Sequence, residues 1–195
     1  MTLRQKLLQR IYPLVMRLSK GEKRGKIRTN SRPVPPPVSF YGLTATGISG
    51  EELPFSRWKN KKVLLVNTAS NCGYTAQYDE LQSLYERYQD VLVIIAFPAN
   101  DFKDQEPGSD AAIAAFCRAR FGVTFPVTRK TQVAPGKNQH PVFRWLTEPG
   151  QNGWNSQAPD WNFSKYLVSG QGILTHYFGP AVSPLCKEML QAIDQ

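Results

Sequence analysis

Two uninterrupted apolar runs, VLLVN at Val63–Asn67 and VLVIIAF at Val91–Phe97, constrain this chain more than any other feature in it. Neither alternates apolar with polar residues, so each reads as a strand covered on both faces. Between them, Tyr78, Leu81, Leu84, Tyr85 and Tyr88 recur at helical spacing across Thr75–Tyr88. A crossover helix of that length makes the two strands parallel neighbours.

The rest of the chain adds elements around that unit. Ser109 can cap a helix running through Ile113, Phe116 and Cys117 to about Arg120, and His140–Leu146 is a shorter helix candidate. WNFSKYLVSGQGILTHYF alternates about a Ser-Gly-Gln-Gly turn, which is a hairpin signal, and Ser183–Ile193 reads as a final helix. A parallel βαβ unit followed by an antiparallel hairpin and a helix predicts an α/β sandwich of thioredoxin-like type, a central mixed sheet flanked by helices.

Charge divides the chain in two. Residues 1–38 hold ten Lys or Arg and one acid, so the whole net charge of +9 resides there and the remainder is neutral. A basic groove for nucleic acid across the body is therefore not expected. In the leader, Leu3, Leu7, Leu8, Ile11, Leu14, Val15 and Leu18 fall at helical spacing among basic residues. Arg10 and Arg17 interrupt it too often for a membrane span, and no small-residue cleavage site follows as in a signal peptide. Two readings stay open: a helix lying on an anionic membrane surface, or an apolar stripe packing on the body or a partner. The stretch GEKRGKIRTNSRPVPPPV has linker composition, so the expected division is a leader and linker over 1–38 and one folded domain over 39–195. The expected location is cytoplasmic, with peripheral contact to the inner membrane surface through the leader.

Three cysteines without CxxC spacing fit neither a disulfide framework nor a zinc site. His140 and His176 have no ligand-like neighbours, so no metal or cofactor is expected. Cys72 is different, because it follows the Val63–Asn67 strand and precedes a helix. Sites in open parallel sheets form beyond the carboxyl ends of strands. Unpaired N–H groups and the helix dipole there favour an anion, so the thiol should ionise more readily than usual. The segment Cys-Gly-Tyr-Thr occupies the place of a redox CxxC but ends in Thr75, which removes the neighbouring sulfur a dithiol exchange enzyme needs.

Three blocks, NTASNCGYT, FPANDFKDQEPGS and WNFSKYLV, together resemble signatures of the glutathione peroxidase family, in the same order, over Ser39 to about Ile193. The resemblance implies a thioredoxin-like fold and reduction of hydrogen peroxide and organic or lipid hydroperoxides. It places the peroxidatic cysteine at Cys72 and its partners at Gln105, Trp161 and Asn162. It also implies Cys117 as resolving cysteine, forming an intramolecular disulfide that thioredoxin, in preference to glutathione, reduces. Amide and indole N–H groups suit that work, since neutral donors favour a thiolate and the oxygen anion released when the O–O bond breaks. This sequence departs from the family pattern at Ala99, where a third cysteine is frequent, and at Asp101, where Gln is usual. A carboxylate at Asp101, if close to Cys72, would hinder ionisation. The short connection between His140 and Trp161 resembles monomeric members. Cys186 is expected to pack or sit free. The alternative reading is a peroxide sensor that relays oxidation to a partner protein through the same cysteines.

Overall fold

In the computed structural model, which describes residues 26–195, every side chain from Val63 to Thr68 is buried, as a strand covered on both faces requires. Its neighbours follow from the chain order: β1 (Ile27–Thr29), β2 (Thr44–Thr46), β3 (Glu52–Pro54), β4 (Lys62–Thr68), α1 (Gln77–Tyr88), β5 (Leu92–Pro98), α2 (Asp110–Phe121), α3 (Pro141–Thr147), α4 (Pro149–Asn152), β6 (Lys165–Val168), β7 (Leu174–Phe178) and α5 (Lys187–Asp194). The main sheet has the order β1-β7-β6-β4-β5. β4 and β5 pair in parallel and the other neighbours pair antiparallel. The mixed sheet, the crossover and the hairpin are as the sequence predicts.

Alternate residues of each central strand feed two cores. Val63, Leu65, Val93, Ile95 and Tyr166 meet Phe40, Phe55, Phe143 and Trp145 on one face. Leu64, Val66, Ile94 and Leu167 meet Tyr78 and Leu81 of α1, Ile113 and Cys117 of α2, and Met189 of α5 on the other. Each large apolar side chain enclosed this way contributes about 1.5–3 kcal/mol. Side chains and backbone close both ends of α2 and the start of α3. Ser109 Oγ accepts from the Ala112 N–H at the start of α2, and Gly122, at φ +58°, sends its N–H back to Arg118 O at 3.0 Å. His140 Nδ1 accepts from the Val142 N–H and so caps α3; its work is structural.

The main sheet takes in residues before Ser39. Ile27, Arg28 and Thr29 pair with Phe178, Tyr177 and His176 as an edge strand. Asn30 N–H donates to Thr175 O and Gly179 N–H to Lys26 O. Val38 stays docked as well, its carbonyl accepting from the Trp145 indole at 2.8 Å. Linker composition describes what a segment prefers alone, whereas the open edge of β7 offers it backbone partners. The amphipathic leader lies outside the described residues. The small β2–β3 hairpin was not anticipated; at three residues a strand it carries too little pattern to read.

Candidate active site

β4 ends at Thr68, and the chain turns through Cys72 before α1 begins at Gln77. Thr75 locks that turn from within. Its Oγ1 accepts from the Cys72 N–H at 3.1 Å and lies within donating distance of Cys72 O (2.7 Å) and Ala69 O (2.9 Å). A second clamp comes from the loop after β5. Ser70 donates through N–H and Oγ to Glu106 Oε2, at 2.9 and 3.0 Å, and Asn71 N–H donates to Gln105 O at 3.0 Å. Glu106 is itself buried, and burial raises its carboxyl pKa while the Ser70 hydrogen bonds and Lys130 oppose that rise.

The Cys72 residue is 3% exposed. Tyr74 N–H points at its Sγ from 3.4 Å. The side chains of Trp161 and Asn162 and the Gly73 N–H also face the sulfur, and all four favour its charged form. Loss of water is nevertheless the largest effect, so the thiol pKa stands above its ordinary value. The expectation that Cys72 ionises more readily than a free thiol is therefore corrected for this state: burial outweighs the donors. The nearby Tyr74 phenol is pushed up as well, first by burial and then by the Cys72 charge.

Asn67, the polar end of the first apolar run, brings the distant donors in. Its Nδ2 donates to Trp161 O at 3.1 Å, its Oδ1 accepts from Ser164 N–H at 3.1 Å, and its backbone carbonyl accepts from Phe163 N–H. The Trp161–Ser164 segment is thereby fixed beside the carboxyl end of β4. Asn162 is buried and gives one Nδ2 hydrogen to Gln105 Oε1 at 2.9 Å, while its Oδ1 has no partner among the described residues. Gln105 thus meets Asn162 directly and the Cys72 loop through its backbone. Asp101, whose charge the sequence left unplaced, accepts from Val133 and Ala134 N–H at 2.6 and 3.0 Å; its carboxylate serves that loop.

Cys117 sits in another setting. It lies within α2, 2% exposed, in the same core as Cys72, and all three cysteines are free thiols. Burial pushes its pKa up to about 11; the Tyr78 hydroxyl lowers it and the Glu106 charge adds to the rise. Cys186 Sγ accepts from Met189 N–H and caps α5.

Sequence reasoning missed Asn67, Thr75 and Glu106 as parts of this site. All three stand within motifs already quoted, and for Thr75 and Glu106 position beside Cys72 and Gln105 was the available signal. Asn67 had a fainter one, a polar residue closing an apolar strand.

Residues 40–147 match the family model described as glutathione peroxidase. The chain is 43% identical over 149 residues to the glutathione peroxidase homolog BsaA of Halalkalibacterium halodurans, covering 76% of this chain and 94% of that protein. It is 42% identical to the glutathione peroxidase-like peroxiredoxin HYR1 of Saccharomyces cerevisiae, covering 74% and 89%. A hydroperoxy fatty acid reductase of Synechocystis is 41% identical, covering 75% and 89%. Among solved structures, Trgpx in apo form superposes with a TM-score of 0.61 at 32% identity, over 81% of this chain and 97% of the other. A DsbF homologue from Corynebacterium diphtheriae, at 15% identity and TM-score 0.60 over 90% and 95%, shares the fold alone.

Proposed function

The chain belongs to the glutathione peroxidase family, in its cysteine-based form, and from that premise we propose how its own residues carry the reduction of hydroperoxides. It is a peroxidase of thioredoxin-like fold that takes a peroxide and a thiol reductant. Cys72 is the peroxidatic residue in our reading. The observation that carries this is the convergence on one sulfur of N–H donors from two remote stretches, Gly73–Tyr74 and Trp161–Asn162.

Cys72 sulfur attacks the terminal oxygen of ROOH and the O–O bond breaks. Sulfur is oxidised to the sulfenic acid, the peroxide is reduced, and the thiol's proton ends on the departing alkoxide as ROH. Indole and amide N–H groups stabilise the charge that passes between sulfur and oxygen. Gln105 holds Asn162 in place for this. Cys117 then attacks the sulfenic sulfur, an S–S bond forms and water leaves. A dithiol such as thioredoxin exchanges with that disulfide and restores both thiols. Since α2 is capped at both ends and Cys117 faces the core, α2 opens before the two sulfurs bond. The basic leader suggests peripheral membrane contact and access to lipid hydroperoxides, and the short segment between His140 and Trp161 suggests a monomer.

Peroxide consumption coupled to thioredoxin tests the reading. Cys72→Ser should fall to background, and Cys117→Ser should consume one equivalent and then stop. Mass spectrometry of the peroxide-treated chain should find a Cys72–Cys117 link. Continued turnover by Cys72→Ser would overturn the assignment.

A further inference from the structure

The turn that precedes Gln105 contains two successive residues in the left-handed region, Lys103 and Asp104, both at φ +51°. That region is disfavoured for a side chain with a Cβ. Where these side chains go shows what the turn secures. The Phe102 ring lies 5.5 Å from that of Trp161, and Lys103 Nζ lies 5.7 Å from the Trp161 ring centroid. Gln105 Oε1 takes the N–H of Asn162. One short turn therefore grips both donors that reach Cys72 from the segment before β6.

The charged neighbours are occupied elsewhere. Asp101 accepts from the Val133 and Ala134 amides, and Asp104 from Asn100 Nδ2 at 3.0 Å. Asp160, beside Trp161 in sequence, accepts from Tyr177 OH and Gln157 Nε2. Glu106 is held by Ser70. On the Cys72 side the facing groups are the Tyr74 phenol and the Gly73 and Tyr74 amides.

A cation over an indole face is attracted by the ring's electron density and draws on it. The N–H at the ring edge becomes a stronger donor, and a stronger donor favours the charged form of its acceptor. We propose that Lys103 is a positioning residue for peroxide reduction, its ammonium over the Trp161 ring strengthening the indole N–H that faces the Cys72 sulfur. The idea rests on the role given to Cys72 above, but its test reads the thiol itself. Failure of the peroxidase reading would appear in the Cys72→Ser assay, and failure of this proposal in the alkylation rates below.

The measurement is the pH dependence of iodoacetamide labelling at the Cys72 peptide, followed by mass spectrometry on the full-length reduced chain. Lys103→Met and Lys103→Gly should each slow labelling at pH 8 by about two- to fivefold, the range expected for an exposed cation–π contact. Lys103→Arg, whose guanidinium also stacks on indole, should restore the rate. The difference between wild type and Lys103→Met should shrink in 1 M salt. Lys103→Gly relieves the left-handed backbone and should unfold in urea no earlier than wild type, so instability cannot mimic the effect. In a Trp161→Phe background, which keeps a ring and removes the N–H, Lys103→Met should change nothing. Wild-type labelling rates in both Lys103→Met and Lys103→Gly would overturn the proposal, as would a full Lys103→Met effect without the indole N–H.

Discussion

Cys72 and Cys117 share one hydrophobic core and are almost equally hidden, yet their surroundings differ in kind. Around Cys72 the backbone is a turn, and the N–H groups of Gly73 and Tyr74 face the sulfur itself. Around Cys117 the backbone is helix, its amides are committed to the ladder, and the polar groups acting on the thiol are the Tyr78 hydroxyl and the Glu106 charge. Burial raises both pKa values, but only Cys72 has a set of donors opposing it. Burial alone does not tell a reactive cysteine from an inert one; the local supply of hydrogens does.

That contrast can be broken most directly by labelling both thiols in the reduced native protein. With a pKa of about 11 against an ordinary 9.0, Cys117 at pH 8 should carry about a hundredfold less thiolate than an unstructured thiol. Its labelling should be slower by at least that factor, and should be lost once peroxide has linked it to Cys72. Equal native labelling of the two peptides would erase the distinction.

A smaller effect concerns pH. Because burial raises the Cys72 pKa above its ordinary value, its thiolate share is still growing across pH 7–9, so the first-turnover rate with peroxide should keep climbing over that window. Stopped-flow measurement under single-turnover conditions checks this. A plateau below pH 8 would mean that the donors outweigh burial after all.

The smallest expected change sharpens the comparison from the helix side. Gly122 ends α2 at φ +58°, and a Cβ added there would meet no atom within 4 Å. Gly122→Ala should therefore cost only its backbone strain, about 1 kcal/mol. If α2 opening releases Cys117, the substitution should speed Cys117 labelling and disulfide formation about fivefold, the same energy expressed as a rate. Cys72 labelling should not move.

Much of this molecule was legible in the chain. The two apolar runs, the helical spacing between them and the alternating hairpin led to the sheet and its neighbours because periodicity follows directly from local geometry. The motifs led to Cys72, Gln105, Trp161 and Asn162, and the hydrogen bonds around Asn162 and the turn bring those stretches together. Less legible was whatever depends on an unoccupied partner. Ile27–Thr29 joins the sheet because β7 has an open edge. Asn67 matters because its amide reaches across to Trp161 and Ser164. Lys165 is wholly buried, with its ammonium donating to Gly179, Pro180 and Val182 carbonyls and its pKa pushed down to about 7.

The sequence by itself determined the central elements, the βαβ unit, the hairpin and their flanking helices, with their order and the one thiol placed at a strand's open end, since each of these is written in residues adjacent along the chain. The tertiary structure alone decided how strongly that thiol holds its proton. That quantity is a difference between lost hydration and gained hydrogen bonds, and both depend on atoms that the fold brings together from stretches far apart in sequence.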